Sequence, residues 1–97
     1  MGGRIVTYTY VLHCDADGQW YTGSTGDLRS RLRLHTEGLV RSTARRGPIR
    51  LIYYEACLDR ADAFRRERFL KTGKGKRYLR LAGSLAGLRD EKLERAK

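Results

Sequence analysis

β-Branched and aromatic residues dominate the start of the chain, and apolar positions then take up a helical spacing. Arg4 to His13 (RIVTYTYVLH) and the shorter run Gln19 to Ser24 (QWYTGS) flank the segment CDADG, which predicts a β-hairpin. Asp17-Gly18 is the turn signal, because glycine tolerates positive φ and aspartate bonds its own backbone. A two-residue loop (Asp17-Gly18) and a four-residue loop (Asp15 to Gly18) lead to one register parity. Both put Tyr8, Tyr10, Leu12 and Tyr21 on the same sheet face, whereas an odd loop or a bulge would separate Tyr21 from Tyr10.

Asp27 is placed to cap a helix from Leu28 to about Thr36, with Gly38 beyond its end. The following stretch, EGLVRSTARRGPIR, holds Pro48, the only proline, and reads as an exposed loop or a short irregular helix. Leu51 to Ala56 has strand propensity. A second long helix, RADAFRRERFLK, starts near Asp59 and is expected to stop at Gly73 and Gly75. From about Lys76 to Lys97 two more short helical patterns surround Gly83 and Gly87. The order ββα, β, αα describes a single α+β domain over residues 1–82, with 83–97 as a C-terminal helical extension.

Size limits what such a chain can do. Its 97 residues and 11.2 kDa exclude a two-domain enzyme with separate cofactor and substrate lobes. A domain this small encloses only roughly 60 to 65% of the surface its unfolded chain exposes, so inward-facing ionisable groups are conspicuous. Lys and Arg number 21 against 11 Asp and Glu, a net charge of +10. That charge exceeds what solubility demands and points to a polyanionic partner, nucleic acid first and anionic membrane second. With 40% hydrophobic residues, the chain is no disordered basic tail. Cys14 and Cys57 form no CxxC pair, so free thiols in a reducing compartment are expected, with one long-range disulfide as the alternative. The N-terminus lacks the apolar stretch of a signal peptide or spanning helix, which makes the cytoplasm the default location.

Three features carry candidate chemistry. Projected at about 100° per residue, the first helix groups Leu28, Arg31, Leu32 and His35 on one stripe. Arg31 therefore pairs with a carboxylate, lines a pocket open to an anion, or snorkels past the stripe edge. The second long helix groups Ala63, Phe64, Glu67, Leu70 and Lys71, so Glu67 interrupts an apolar stripe; a structural ion pair within the helix or to Arg31 is its bland explanation. Six tyrosines stand against two phenylalanines, and each hydroxyl can donate, accept or, where cations lower its pKa, take up a proton. Tyr8, Tyr10 and Tyr21, packed under two helices pointing in Arg31 and Glu67, would form a polar cluster. Tyrosines lining a core with hydroxyls at its rim are the plainer alternative.

Taken in order, these segments resemble the GIY-YIG nucleases. Tyr8-Thr9-Tyr10 and Tyr21-Thr22-Gly23 stand for the family's two short motifs, GSTGDLRSRLRLH for the passage into its first helix, and LIYYEACLDRADAFRRERFLK for the later strand and helix. The likeness covers roughly residues 7 to 80 and is closest to small stand-alone bacterial members related to excision-repair and Slx-type nuclease domains. It implies a small three-stranded antiparallel sheet flanked by helices. It also implies a metal-dependent endonuclease acting on DNA, structure-specific in repair or recombination. Tyr8 and Thr9 replace the usual glycine and isoleucine of the first motif. The chain has no asparagine, so the asparagine that many family nucleases carry after the glutamate has no counterpart.

By this resemblance Arg31 matches the catalytic arginine, His35 a frequent histidine, and Glu67 the ligand of one divalent ion, Mg²⁺ or Mn²⁺. A tyrosinate at Tyr10, or at Tyr21 if the hydroxyls exchange roles, would take the proton of the attacking water, while Arg31 steadies the phosphoryl oxygens. His35 would orient water or contact phosphate. Gly23 would let backbone pass close to the site without a Cβ in the way. Arg41, Arg45, Arg46, Arg50, Lys71, Lys74, Lys76 and Arg77 would neutralise DNA phosphates whether or not a bond is cut. A non-catalytic basic nucleic-acid-binding module is therefore the second hypothesis. No membrane partner and no small-molecule cofactor are expected.

Overall fold

The hairpin closes with the four-residue loop. In the computed structural model, which describes residues 6–82, strand β1 (Thr7–Cys14) turns at Asp15 to Gly18 into β2 (Trp20–Thr25). Gly18 adopts φ +69°, and Gln19 N–H donates to Asp17 Oδ1 at 2.8 Å. Helix α1 (Leu28–Thr36), strand β3 (Ile49–Cys57) and helix α2 (Arg60–Leu70) follow. A third helix, α3, spans 73–82. The sheet is antiparallel with order β2-β1-β3, an α+β fold with three strands and three helices among the described residues. Arg4 and Ile5, expected to begin the first strand, lie outside the described residues. So do the helical patterns around Gly83 and Gly87 and the extension 83–97.

Both long helices begin where their caps direct. Asp27 accepts from Ser30 N–H at 3.1 Å and Asp59 from Ala61 N–H at 2.7 Å. Gly38, at φ +75°, ends α1, with Leu39 N–H returning to Leu34 O at 2.9 Å. The proline-bearing stretch is a run of turns that folds back and buries Val40 and Thr43. It is tied to the hairpin loop by Ala16 N–H to Arg46 O and Asp15 N–H to Pro48 O, each 3.0 Å. Strand β3 exceeds its predicted length at both ends because Ile49 and Cys57 find partners in Cys14 and Thr7.

Helix α2 ends at Leu70, just before the two glycines as expected, but Gly73 and Gly75 then lie in the first turn of α3. Thr72 caps it, accepting from Gly75 N–H at 3.1 Å. Gly75 is buried, and a Cβ there would stand 2.6 Å from Leu70 Cα. Close packing of α3 on the end of α2 is what the glycine permits.

Register assigns the helices to faces. Tyr10 pairs with Gly23 and Tyr54, and Thr9 with Ser24 and Glu55, so these two sets point to opposite sides. The Tyr10 hydroxyl meets His35 of α1, while Thr9 Oγ1 donates to Ala63 O of α2 at 3.0 Å. Helices α1 and α2 thus cover opposite faces, which corrects the expectation that both overlie the tyrosines. The apolar core of Val11, Leu70 and Leu79, with Trp20, Ile52 and Tyr53 against it, sits on the α2 side. The tyrosine side buries polar groups instead.

Candidate active site

Tyr10, Tyr21, Arg31 and His35 come together on the α1 side of the sheet. Tyr10 is wholly buried and His35 is 1% exposed. Tyr10 Oη lies 2.9 Å from His35 Nε2, and His35 Nδ1 lies 2.7 Å from Thr43 Oγ1. Both ring nitrogens are thereby engaged by protein, so His35 steadies Tyr10 and presents no nitrogen to phosphate. The Tyr21 ring packs 5.1 Å from His35 and 6.3 Å from Tyr10, centroid to centroid. Tyr21 and Arg31 are the half-buried members of the group.

The electrostatics follow from this packing. Burial pushes the Tyr10 phenol above its ordinary pKa, and the neighbouring Arg31 only partly offsets it. The resting Tyr10 is a neutral phenol, contrary to the tyrosinate expected from nearby cations. Burial and the Arg31 charge both hold His35 below 6.5, so its ring is neutral at pH 7. The Tyr10 hydroxyl beside Arg31, with Tyr21 adding to it, raises the guanidinium further.

Gly23 explains how Tyr10 fits. A Cβ at Gly23 would lie 2.7 Å from Tyr10 Oη and 3.1 Å from Tyr21 Cε1. The space a side chain would take is filled by the two tyrosines, so the glycine serves ring placement. Gly23 belongs to the edge strand β2, and the next residue, Ser24, faces the other way. Ser24 Oγ donates to Glu67 Oε1 at 2.7 Å, and Lys71 Nζ pairs with Oε2 at 3.1 Å. Glu67 therefore reaches the same edge from the opposite face of the sheet, one residue along the strand from Gly23. Its ion pair within the helix is with Lys71, and no bond to Arg31 is present among the described residues.

The basic residues divide into two groups. Arg46 Nε donates to Asp17 Oδ2 at 3.1 Å and tethers the hairpin loop, while Lys71 is paired with Glu67. Arg50 reaches Asp15. Arg41, Arg45, Lys74, Lys76 and Arg77 are exposed. One cluster went unread in the sequence. On the α2 face Arg66 grips Glu55 with two bonds of 2.7 and 3.0 Å, and the Tyr53 hydroxyl adds a third at 2.6 Å. Alternation places Tyr53 and Glu55 on one face, but nothing local marks Arg66, one arginine among four in α2, as their partner.

Residues 6–79 match the model of the GIY-YIG catalytic domain. The chain belongs to the GIY-YIG family. Among similar proteins, a UPF0213 protein of Lacticaseibacillus paracasei is 44% identical over 62% of this chain and 67% of its own. One from Clostridium perfringens is 32% identical over 93% of this chain and 96% of its own. The solution structure of a UPF0213 protein from Bacillus halodurans is 36% identical, covers 76% of this chain and 81% of that one, and has a TM-score of 0.49. The GIY-YIG motifs fall on β1 and β2, with Tyr8 and Thr9 on opposite faces of the first. No described helix is long and apolar enough to cross a membrane.

Proposed function

We propose that this GIY-YIG protein is a metal-dependent endonuclease that hydrolyses phosphodiester bonds in DNA, structure-specific and serving repair or recombination. One observation carries the reading. At the Gly23-Ser24 step of the edge strand, a cluster of two tyrosines and an arginine arrives from one face and a carboxylate from the other. A phosphate drawn to that edge meets the Arg31 fork of donors, which neutralises its oxygens and stabilises the charge that builds during attack. Tyr21, the tyrosine hydroxyl nearer solvent, contacts the attacking water. Tyr10, held by His35, keeps the Tyr21 ring and the Arg31 head in position.

The oxygen donors at Glu67 fit a hard divalent cation. Ser24 offers a hydroxyl beside the carboxylate, and no group of three His, Cys, Asp or Glu side chains gathers among the described residues. A single carboxylate suits Mg²⁺ or Mn²⁺, ions that retain most of their waters. Lys71 is exposed on a flexible stem, so its surface pairing yields readily. When bound, the ion would supply Lewis-acid stabilisation of the leaving oxygen. Exposed Arg41, Arg45, Lys74 and Lys76 would neutralise flanking phosphates. The free thiols of Cys14 and Cys57 support a cytoplasmic location.

The second reading, a non-catalytic binding module, draws support from the engagement of both Glu67 oxygens by protein. A nicking assay on labelled plain, nicked, flapped and branched DNAs with Mg²⁺ or Mn²⁺ decides between them. Cleavage by the parent protein and none by Glu67→Gln upholds the endonuclease. Binding without cleavage on every substrate upholds the module.

A further inference from the structure

We propose that the cavity between the start of α1 and the open end of the tyrosine face holds an unpaired DNA base next to the scissile phosphate. This rests on the endonuclease reading above and names the substrate class it acts on. The cavity is an open cleft of about 420 Å³ between Tyr8 and Tyr54 on the sheet and Leu28, Arg29 and Leu32 on the helix, with Asp27 also in its lining. That volume is within the range of small-molecule sites, roughly 300 to 1,000 Å³.

The lining selects for a base. Tyr54 is 54% exposed, and its ring packs at 6.2 Å from that of Tyr8. Aromatic faces give every nucleobase a surface to stack on, whatever its sequence. Leu28 and Leu32 supply an apolar opposite wall, and Arg29 a cation for the nucleotide's phosphate. Asp27 is occupied in capping α1, bonded to Ser30 N–H at 3.1 Å and to Ser30 Oγ at 2.9 Å.

Position supports the same assignment. Tyr8 and Tyr10 are two residues apart on one face of β1, about 6.6 Å by the rise of a strand, so the cavity adjoins the Tyr10, Tyr21 and Arg31 cluster. Tyr54 of β3 shares the face of Tyr10 and remains exposed beside the start of α1. A base within an intact duplex cannot enter, because stacked neighbours cover both its faces. Flaps, branches and gaps expose one without that cost.

Metal-free binding tests this apart from catalysis. With a chelator present, fluorescence anisotropy compares an intact duplex with the same duplex bearing a single-stranded flap, with 2-aminopurine as the first unpaired base. The expected results are preference for the flap, quenching of 2-aminopurine on binding, and a roughly tenfold loss of flap affinity in Tyr54→Leu. Tyr54→Phe keeps both properties, and Tyr54→Leu binds the intact duplex as the parent does. Equal affinity of the parent for both DNAs, absence of quenching, or an equal loss on both DNAs in Tyr54→Leu overturns the proposal. Cleavage without quenching would remove the base site and leave the endonuclease standing. Quenching without cleavage in the parallel nicking assay would leave the base site and remove the chemistry.

Discussion

The Tyr10 hydroxyl occupies the space that a side chain at residue 23 would need, 2.7 Å from the position of a Gly23 Cβ. Tyr10 is wholly buried and bonded to His35, so it has no room to retreat. Gly23→Ala is expected to destabilise the fold by about 1 to 3 kcal/mol through overpacking. The melting temperature should fall by several degrees, and nicking should fall more steeply than DNA binding. An alanine variant with unchanged melting and full activity would show that Tyr10 is not held against Gly23.

Glu67→Gln separates chemistry from structure. Glutamine still accepts from Ser24, and the lost pairing with exposed Lys71 is worth only a few tenths of a kcal/mol. Melting should therefore stay within about 1 kcal/mol of the parent, with DNA affinity kept or raised and nicking abolished. A large fall in the melting temperature of Glu67→Gln, together with a parent protein that cuts no DNA, would favour the binding module.

His35 makes stability depend on pH. Its folded pKa is below the ordinary 6.5, from burial first and Arg31 second, so the unfolded chain binds the extra proton as pH falls. The stability it contributes is complete above pH 6.5 and is lost as pH drops from there through the folded value. The carboxylates lowered by folding, Asp17, Asp27 and Glu55, act only in a more acid range, starting from 3.8 to 4.5. Melting curves between pH 7.5 and 5 should show the parent losing stability, and His35→Gln should flatten that slope at a lower overall stability. A parent whose melting is constant over this range would rule out a buried neutral His35.

Glu55 should matter to folding and not to cleavage. Burial alone would raise its carboxyl, but Arg66 and the Tyr53 hydroxyl outweigh that and hold it low. Breaking such a partly buried pair costs about 2 kcal/mol, less than a fully buried one because the Arg66 side chain is 34% exposed. Glu55→Gln should lower the melting temperature by roughly 10 °C while nicking per folded molecule stays at the parent level. Selective loss of nicking at unchanged stability would give Glu55 a catalytic role instead.

The hairpin, its parity and the two capped helices are legible in the sequence because each depends on residues a few positions apart. Asp17-Gly18 turns the chain, period-two alternation puts Tyr8, Tyr10 and Tyr21 together, and Asp27 and Asp59 begin the helices. Gly73 and Gly75 mark the end of α2 for the same reason, but not the helix that they begin. Read locally they end a helix, whereas the buried contact of Gly75 with Leu70 comes from packing between two helices. The α2 stripe with Glu67 was legible too, but not the face on which α2 lands. Both helices carry mixed apolar and charged stripes, so local pattern does not distinguish a helix over the tyrosines from one over Val11. Long-range packing decided it, with Thr9 bonding Ala63 and with Leu70 and Leu79 closing the apolar core. Those contacts brought Glu67 around the sheet edge to Ser24 and turned the expected one-sided cluster into a two-sided one.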